Sequence, residues 1–238
     1  MQYRIRYVSR PTQDLHKAGI ITTLTNSWTS ICGGSIISHT RILTAAHCWW
    51  DGESQARLFT IVLGSLTIFN GGTRIDTANV KVHPEWKVNM IHDIAIAVIP
   101  QVNFNNNIQV IPLPTTAEVN LDFAGALGYI SGYGKTSDSQ TSFPASTSLH
   151  QTTVAIITNA VCQRSFSIPI HGSHVCVSGQ DQRGTCEGDS GGPLAVVHNT
   201  RRILIGVVSF GPSEGCQASL PSVFTRVTAY LTWIQSSM

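Results

Sequence analysis

Short runs of β-branched and apolar residues recur along the chain, each broken by turn-forming residues, as in strands of a barrel or sandwich. They cover Ser30–Ser38, Phe59–Leu63, Ile75–Val82, Ile94–Ile99, Leu127–Tyr133, Thr152–Ile157, Leu194–His198, Ile203–Phe210 and Val223–Val227. Asn70-Gly71-Gly72 stands between two such runs and predicts a hairpin turn. Near the C-terminus the period changes: Val227, Tyr230, Leu231 and Ile234 fall on one helical face. A shorter helix is expected to start at Thr158 or Asn159, either of which can cap it. Asn103–Ala124, rich in Asn, Pro and Thr, reads as a connection. It divides the chain into two halves, residues 1–112 and 113–238.

Composition narrows the class. Hydrophobic residues make up 42% of the 238, enough for a sizeable core, while charged residues make up only 12%. A soluble protein averages roughly 25%, so this surface must be built largely from neutral polar residues. A net charge of +2 gives no reason to expect nucleic acid or an anionic membrane as partner. No apolar run reaches the ~18 residues of a membrane-spanning helix. The six cysteines show no C-x-x-C spacing, which argues for disulfides over zinc and leaves their pairing open. Disulfides imply an oxidising compartment and hence secretion. Met1–Arg10 carries three Arg and lacks the ~7–15 apolar residues of a secretory signal, so the biological start is expected to differ from Met1.

Two segments carry the chemistry. Cys186-Glu187-Gly188-Asp189-Ser190-Gly191-Gly192-Pro193 sets a serine among residues with little or no side chain, where backbone N–H groups can face a reacting carbonyl. Leu43-Thr44-Ala45-Ala46-His47-Cys48 supplies an imidazole, and Asp93, within an apolar run, a carboxylate. A serine hydroxyl needs a base to become a nucleophile, and imidazole titrates near neutral pH. A carboxylate on its second nitrogen fixes the tautomer. Taken singly, a His, an Asp or a tight Gly-rich turn is most often structural. Together they read as the catalytic residues His47, Asp93 and Ser190, with the N–H groups of Gly188 and Ser190 as an oxyanion hole.

These motifs, in the order His, Asp, Ser, resemble the chymotrypsin/trypsin-like serine peptidase family from about Ala18 to the C-terminus. The resemblance implies an all-β fold of two antiparallel six-stranded barrels with a C-terminal α-helix. The first barrel would carry His47 and Asp93, and the second Ser190 and the specificity pocket. It also implies the disulfides Cys32–Cys48, Cys162–Cys176 and Cys186–Cys216. Three bridges together with Gly184-Thr185-Cys186 are similar to insect digestive chymotrypsin-like enzymes.

By the same resemblance Gly184 lies at the base of the substrate pocket, between walls at Gly211 and Ser222. With no acid at its base, the pocket favours large apolar or aromatic side chains over Lys or Arg. Ser209 would bond the catalytic carboxylate, and Ser209-Phe210-Gly211 would pair with substrate backbone. The implied partners are protein or peptide substrates and protein inhibitors of proteases, with the enzyme a monomer. No cofactor and no metal are expected: His171 and His174 read as surface residues, and Leu66–Asp76, where the family's calcium loop would fall, holds one acid.

The chain departs from the family in one respect. Activation there frees an Ile or Val followed by Val-Gly-Gly, whose amine pairs with the aspartate before the nucleophile, here Asp189. No such sequence occurs in this chain. A cut after Arg4 would free Ile5, but Arg6 and Tyr7 replace the small residues that follow. Asp189 without that partner is expected to turn toward solvent or another partner, taking the Gly188 N–H out of the oxyanion site. The alternative reading is a zymogen-locked or non-catalytic homologue that binds protein partners.

Overall fold

A computed structural model describes residues 15–238. Met1–Arg10 and the Ile5 route to a new terminus lie outside the described residues. Among the described residues thirteen strands, β1 to β13, form two sheets. The first is built from β1 (Lys17–Leu24), β2 (Thr29–Ser38), β3 (Arg41–Thr44), β4 (Ala56–Leu63), β5 (Thr73–Thr77), β6 (Val80–Val82) and β7 (Ala95–Val98). Its spatial order is β5-β4-β1-β2-β3-β7-β6. The two edges, β5 and β6, are consecutive in the chain and separated only by Ala78 and Asn79. They are halves of one bent strand that joins β4 to β7, so the expected six-stranded barrel shows seven strand segments. Val98 secures the bend: its carbonyl accepts from Thr77 Oγ1 at 2.7 Å and its N–H donates to the Asn79 carbonyl at 2.8 Å.

The second sheet is a closed antiparallel barrel in the order β10-β13-β12-β11-β8-β9. Its strands are β8 (Leu127–Gly132), β9 (His150–Ile157), β10 (His174–Val177), β11 (Pro193–His198), β12 (Arg201–Phe210) and β13 (Ser222–Arg226). Alternation along strands distributes side chains between cores. In β4, Phe59, Ile61 and Leu63 enter the main core, while Val62 joins Ile31, Ile68 and Tyr133 in another cluster. From β11 and β12, Ala195, Leu204 and Val207 reach the core of the first sheet, and Ile203, Ile205 and Val208 fill the second barrel.

All nine expected strands are present; β1, β3 and β10 are additional. β1 is buried almost throughout and so shows no polar alternation, β3 has four residues, and β10 opens on a buried histidine. The predicted C-terminal helix divides into a 3-10 turn, Val227–Tyr230, and α2, Leu231–Ser236. Its predicted apolar face is the buried one, with Val227, Tyr230, Leu231 and Ile234 all in the main core. The shorter helix, α1 (Asn159–Cys162), is capped by Thr158, whose side chain accepts from Val161 N–H. The bends at Gly71 and Gly72, both at positive φ, belong to a longer loop between β4 and β5.

Candidate active site

His47 lies on a 3-10 turn, Ala46–Cys48, directly after β3. The Cys32–Cys48 disulfide ties that turn to β2. Asp93 stands just ahead of β7 and is fully buried. Its Oδ2 is 2.8 Å from His47 Nδ1, and its Oδ1 accepts from the His47 backbone N–H at 2.9 Å. Ser209 Oγ donates to Oδ2 at 2.5 Å. Thr225, which sequence reasoning missed, holds the Asp93 carbonyl from β13 through its hydroxyl at 2.8 Å. Nothing in an alternating strand singles out that threonine beforehand. Ser209 is aimed by a register shift between Val208 and Phe210 in the pairing of β12 with β13, the kind of bulge that redirects a side chain.

The electrostatics follow from this packing. Burial pulls the His47 pKa down, but the Asp93 charge and hydrogen bond outweigh it and hold the imidazole above its ordinary 6.5. Burial raises the Asp93 pKa, while the charge and hydrogen bond of His47, then Ser209 and the His47 N–H, lower it. The net direction is down. His47 is thus held as a stronger base than a free imidazole, with 23% of its side chain exposed.

Ser190 lies on the loop leading into β11. Its carbonyl accepts from Gly33 N–H at 2.6 Å and lies 3.6 Å from Cys48 Sγ, a packing contact because a disulfide sulfur carries no proton. The serine loop is thereby fixed against the residue next to His47. No hydrogen bond joins Ser190 Oγ to His47 among the described residues. Such bonds are often long without substrate and tighten when it binds. Gly188 has φ +93°, and a Cβ there would lie 2.8 Å from Phe143 and 3.0 Å from Gly134 Cα. Only glycine fits that conformation and that approach. Neither the Gly188 nor the Ser190 N–H is bonded within the described residues, so both are available to an acceptor.

Of the two courses expected for Asp189, solvent or another partner, the structure shows the second. Its carboxylate points inward, with Oδ1 accepting from Gly134 N–H at 2.9 Å and Oδ2 from Cys186 N–H at 3.0 Å. Two backbone donors supply what a turn toward solvent would have supplied. Gly134 permits the approach, because a Cβ there would lie 2.5 Å from Asp189 Cγ. Burial pushes the Asp189 pKa up, against the Cys186 N–H, the Lys17 charge, the Gly134 N–H and the His150 charge. Beside it opens a small, partly open cleft, lined among others by Ile130, Gly132, His150 and Gly184.

Gly184 and Ser222 adjoin, since a Cβ on Gly184 would lie 2.9 Å from Ser222 Oγ. Thr185 N–H donates to the same hydroxyl at 3.2 Å. Gly211 faces open space. Cys186 is bonded to Cys216, and Cys162 to Cys176. Phe210 packs edge-on against Phe166 and His174, each with centroids 5.6 Å away. His174 is not the surface residue that was expected. It is 1% exposed, with Nε2 2.8 Å from the Met90 carbonyl. His171 is exposed. Asp76 lies in β5, where Oδ1 accepts from Thr60 at 2.6 Å.

A protein-family model described as Trypsin matches residues 9–234. Serine protease 1 of Drosophila melanogaster is 37% identical over 209 residues, spanning 87% of this chain and 75% of that protein. Brachyurin of Leptuca pugilator is 38% identical over 210 residues, 86% of each chain. Collagenase of Hypoderma lineatum is 34% identical over 224 residues, 93% of this chain and 82% of that protein. A solved structure of HL collagenase superposes with a TM-score of 0.86 at 32% identity, covering 97% of this chain and 96% of that one.

Proposed function

Because the chain belongs to the trypsin family of serine proteases, we propose that this endopeptidase works through Ser190, His47 and Asp93. The bond of 2.8 Å between His47 Nδ1 and the buried Asp93 carboxylate carries this reading. His47 Nε2 takes the Ser190 hydroxyl proton as Oγ attacks the scissile carbonyl carbon. The oxyanion so formed accepts hydrogen bonds from the Gly188 and Ser190 N–H groups, each worth roughly 3–4 kcal/mol. The imidazolium then gives its proton to the leaving amine, and an acyl group remains on Ser190. Water, deprotonated by the same imidazole, releases the acid and restores the serine. Asp93 keeps the ring oriented and its charge compensated throughout.

Specificity follows from the pocket. Gly184, Gly211 and Ser222 offer space and no charge, so a large apolar or aromatic residue before the cut bond is favoured. Phe210 supplies an aromatic wall, and the Ser209–Gly211 backbone an edge for substrate to pair with. Asp189, which lines a small cleft, is the partner for a chain-terminal ammonium on activation. Three disulfides and the family membership support a secreted enzyme acting on protein or peptide substrates, open to protein inhibitors. The reading as a non-catalytic binder has no support from the site, which keeps all three reacting groups.

The test is a matched series of peptide amide substrates. Phe or Leu before the scissile bond should exceed Arg or Lys in kcat/KM by ~100-fold, because a cation in the pocket forfeits about 3 kcal/mol of pairing. A preference for Arg would overturn the pocket assignment while leaving the triad standing.

A further inference from the structure

Three metal-ligating side chains converge between the end of β6 and the start of β7, in the loop that leads to Asp93. His83 is buried, Glu85 exposed and His92 half-buried, and one ligand atom of each lies within 4.8 Å of the other two. His92 Nε2 is 3.9 Å from Glu85 Oε2. The imidazoles of His83 and His92 stack with centroids 4.8 Å apart and planes 9° from parallel. Tyr230, from the C-terminal turn, meets both rings edge-on, and its hydroxyl lies 3.2 Å from His92 Nδ1. Trp233 packs on His83 at 5.1 Å. Between the two histidines Val88 and Met90 have positive φ, as does His92 itself, and these bends return the chain so that His92 faces His83.

We propose that His83, Glu85 and His92 form a binding site for a divalent transition metal ion, Zn2+ above all. Two imidazoles and a carboxylate are a borderline donor set that suits zinc, with water completing a tetrahedron. Calcium and magnesium, which take oxygen ligands, do not fit it. Zinc bonds of about 2.0–2.2 Å need the donors closer than they stand, and parallel rings cannot share one ion. The exposed members make that adjustment: the Glu85 side chain is 70% and the His92 side chain 30% exposed. The His92 ring turns and Glu85 swings inward, and the Glu85 N–H gives up the 3.2 Å bond it donates to His83 Nδ1, which frees a lone pair for the ion while the His83 ring stays on Trp233. The Tyr230 hydroxyl, beside His92 Nδ1, is placed to orient the ligating ring from behind, a contact that tunes metal affinity. Because His92 precedes Asp93, an ion here clips the loop that delivers the buried carboxylate to His47. The proposal departs from the sequence expectation of no metal, which was argued from His171, His174 and the Leu66–Asp76 loop and did not weigh this cluster.

Calorimetric titration of the full chain with zinc chloride tests the site. It is done on the His47→Ala variant, so that the candidate catalytic imidazole contributes nothing and proteolysis plays no part. One equivalent should bind at micromolar zinc. Glu85→Gln, at an exposed position that does not threaten the fold, should weaken binding at least tenfold, and His92→Gln should abolish it. Tyr230→Phe should weaken it by ~10–100-fold. Zinc-edge X-ray absorption of the loaded protein should show two imidazole nitrogens. Absence of binding up to millimolar zinc would overturn the proposal. So would binding that survives the double variant Glu85→Gln/His92→Gln, because it would then belong to other histidines.

Discussion

Each oxygen of the Asp93 carboxylate is engaged, Oδ1 by the His47 N–H and Oδ2 by His47 Nδ1 and Ser209. Replacing it with Asn keeps the shape but presents an amide N–H2 where an acceptor is required. Asp93→Asn should lower kcat by about 10⁴, a figure carried over from the family's template triad. The pH profile gives a second reading. As the proposed general base His47 must be neutral, and its pKa is held above 6.5, so kcat/KM should rise with pH through a midpoint above 6.5. In Asp93→Asn that midpoint should move down. Stability runs the opposite way. A base whose native pKa is raised contributes fully below its unfolded value and loses that contribution as pH rises through the native one. Measuring kcat/KM and denaturant midpoint across the same window should show the two trends crossing. Ser190, His47 and Asp93 were legible in the sequence because small residues or an apolar run frame each one. His174 was not. A histidine beneath Phe210 with its Nε2 on a distant carbonyl is a product of packing, and no local pattern encodes it.

At the scale of elements, β-branched runs located nine strands because each borders a turn and alternates between core and surface or between two cores. The others lack one of these marks: β1 is buried on both faces, and β3 is too short for a period. The bend between β5 and β6 was invisible because Ile75–Val82 keeps its strand-like character through Ala78 and Asn79. α1 and β10 are held together by Cys162–Cys176, a bridge 14 residues apart in sequence. Replacing both cysteines with serine should cost about 3 kcal/mol by the loop-entropy estimate. Urea unfolding monitored by fluorescence checks this. A change under 1 kcal/mol would mean that α1 is held by its other contacts.

Across the whole molecule, the C-terminal residues fasten the two sheets together. Val227, Tyr230, Leu231 and Ile234 sit in the same core as Phe59, Ile61 and Leu63 of the first sheet. Ile234→Ala, at a fully buried position, should therefore cost ~2–5 kcal/mol. It should shift a single calorimetric transition rather than detach one half from the other. The shared packing matters to the chemistry, because Asp93 comes from the first sheet while Ser209, Thr225 and the Ser190 loop come from the second. The most direct test of that convergence is mass-spectrometric mapping after treatment with a serine-directed organophosphate. One phosphoryl adduct should form, on Ser190, and the His47→Ala variant should give almost none. An untouched Ser190 in protein that has been given its activated terminus, or equal labelling in the His47→Ala variant, would contradict the account.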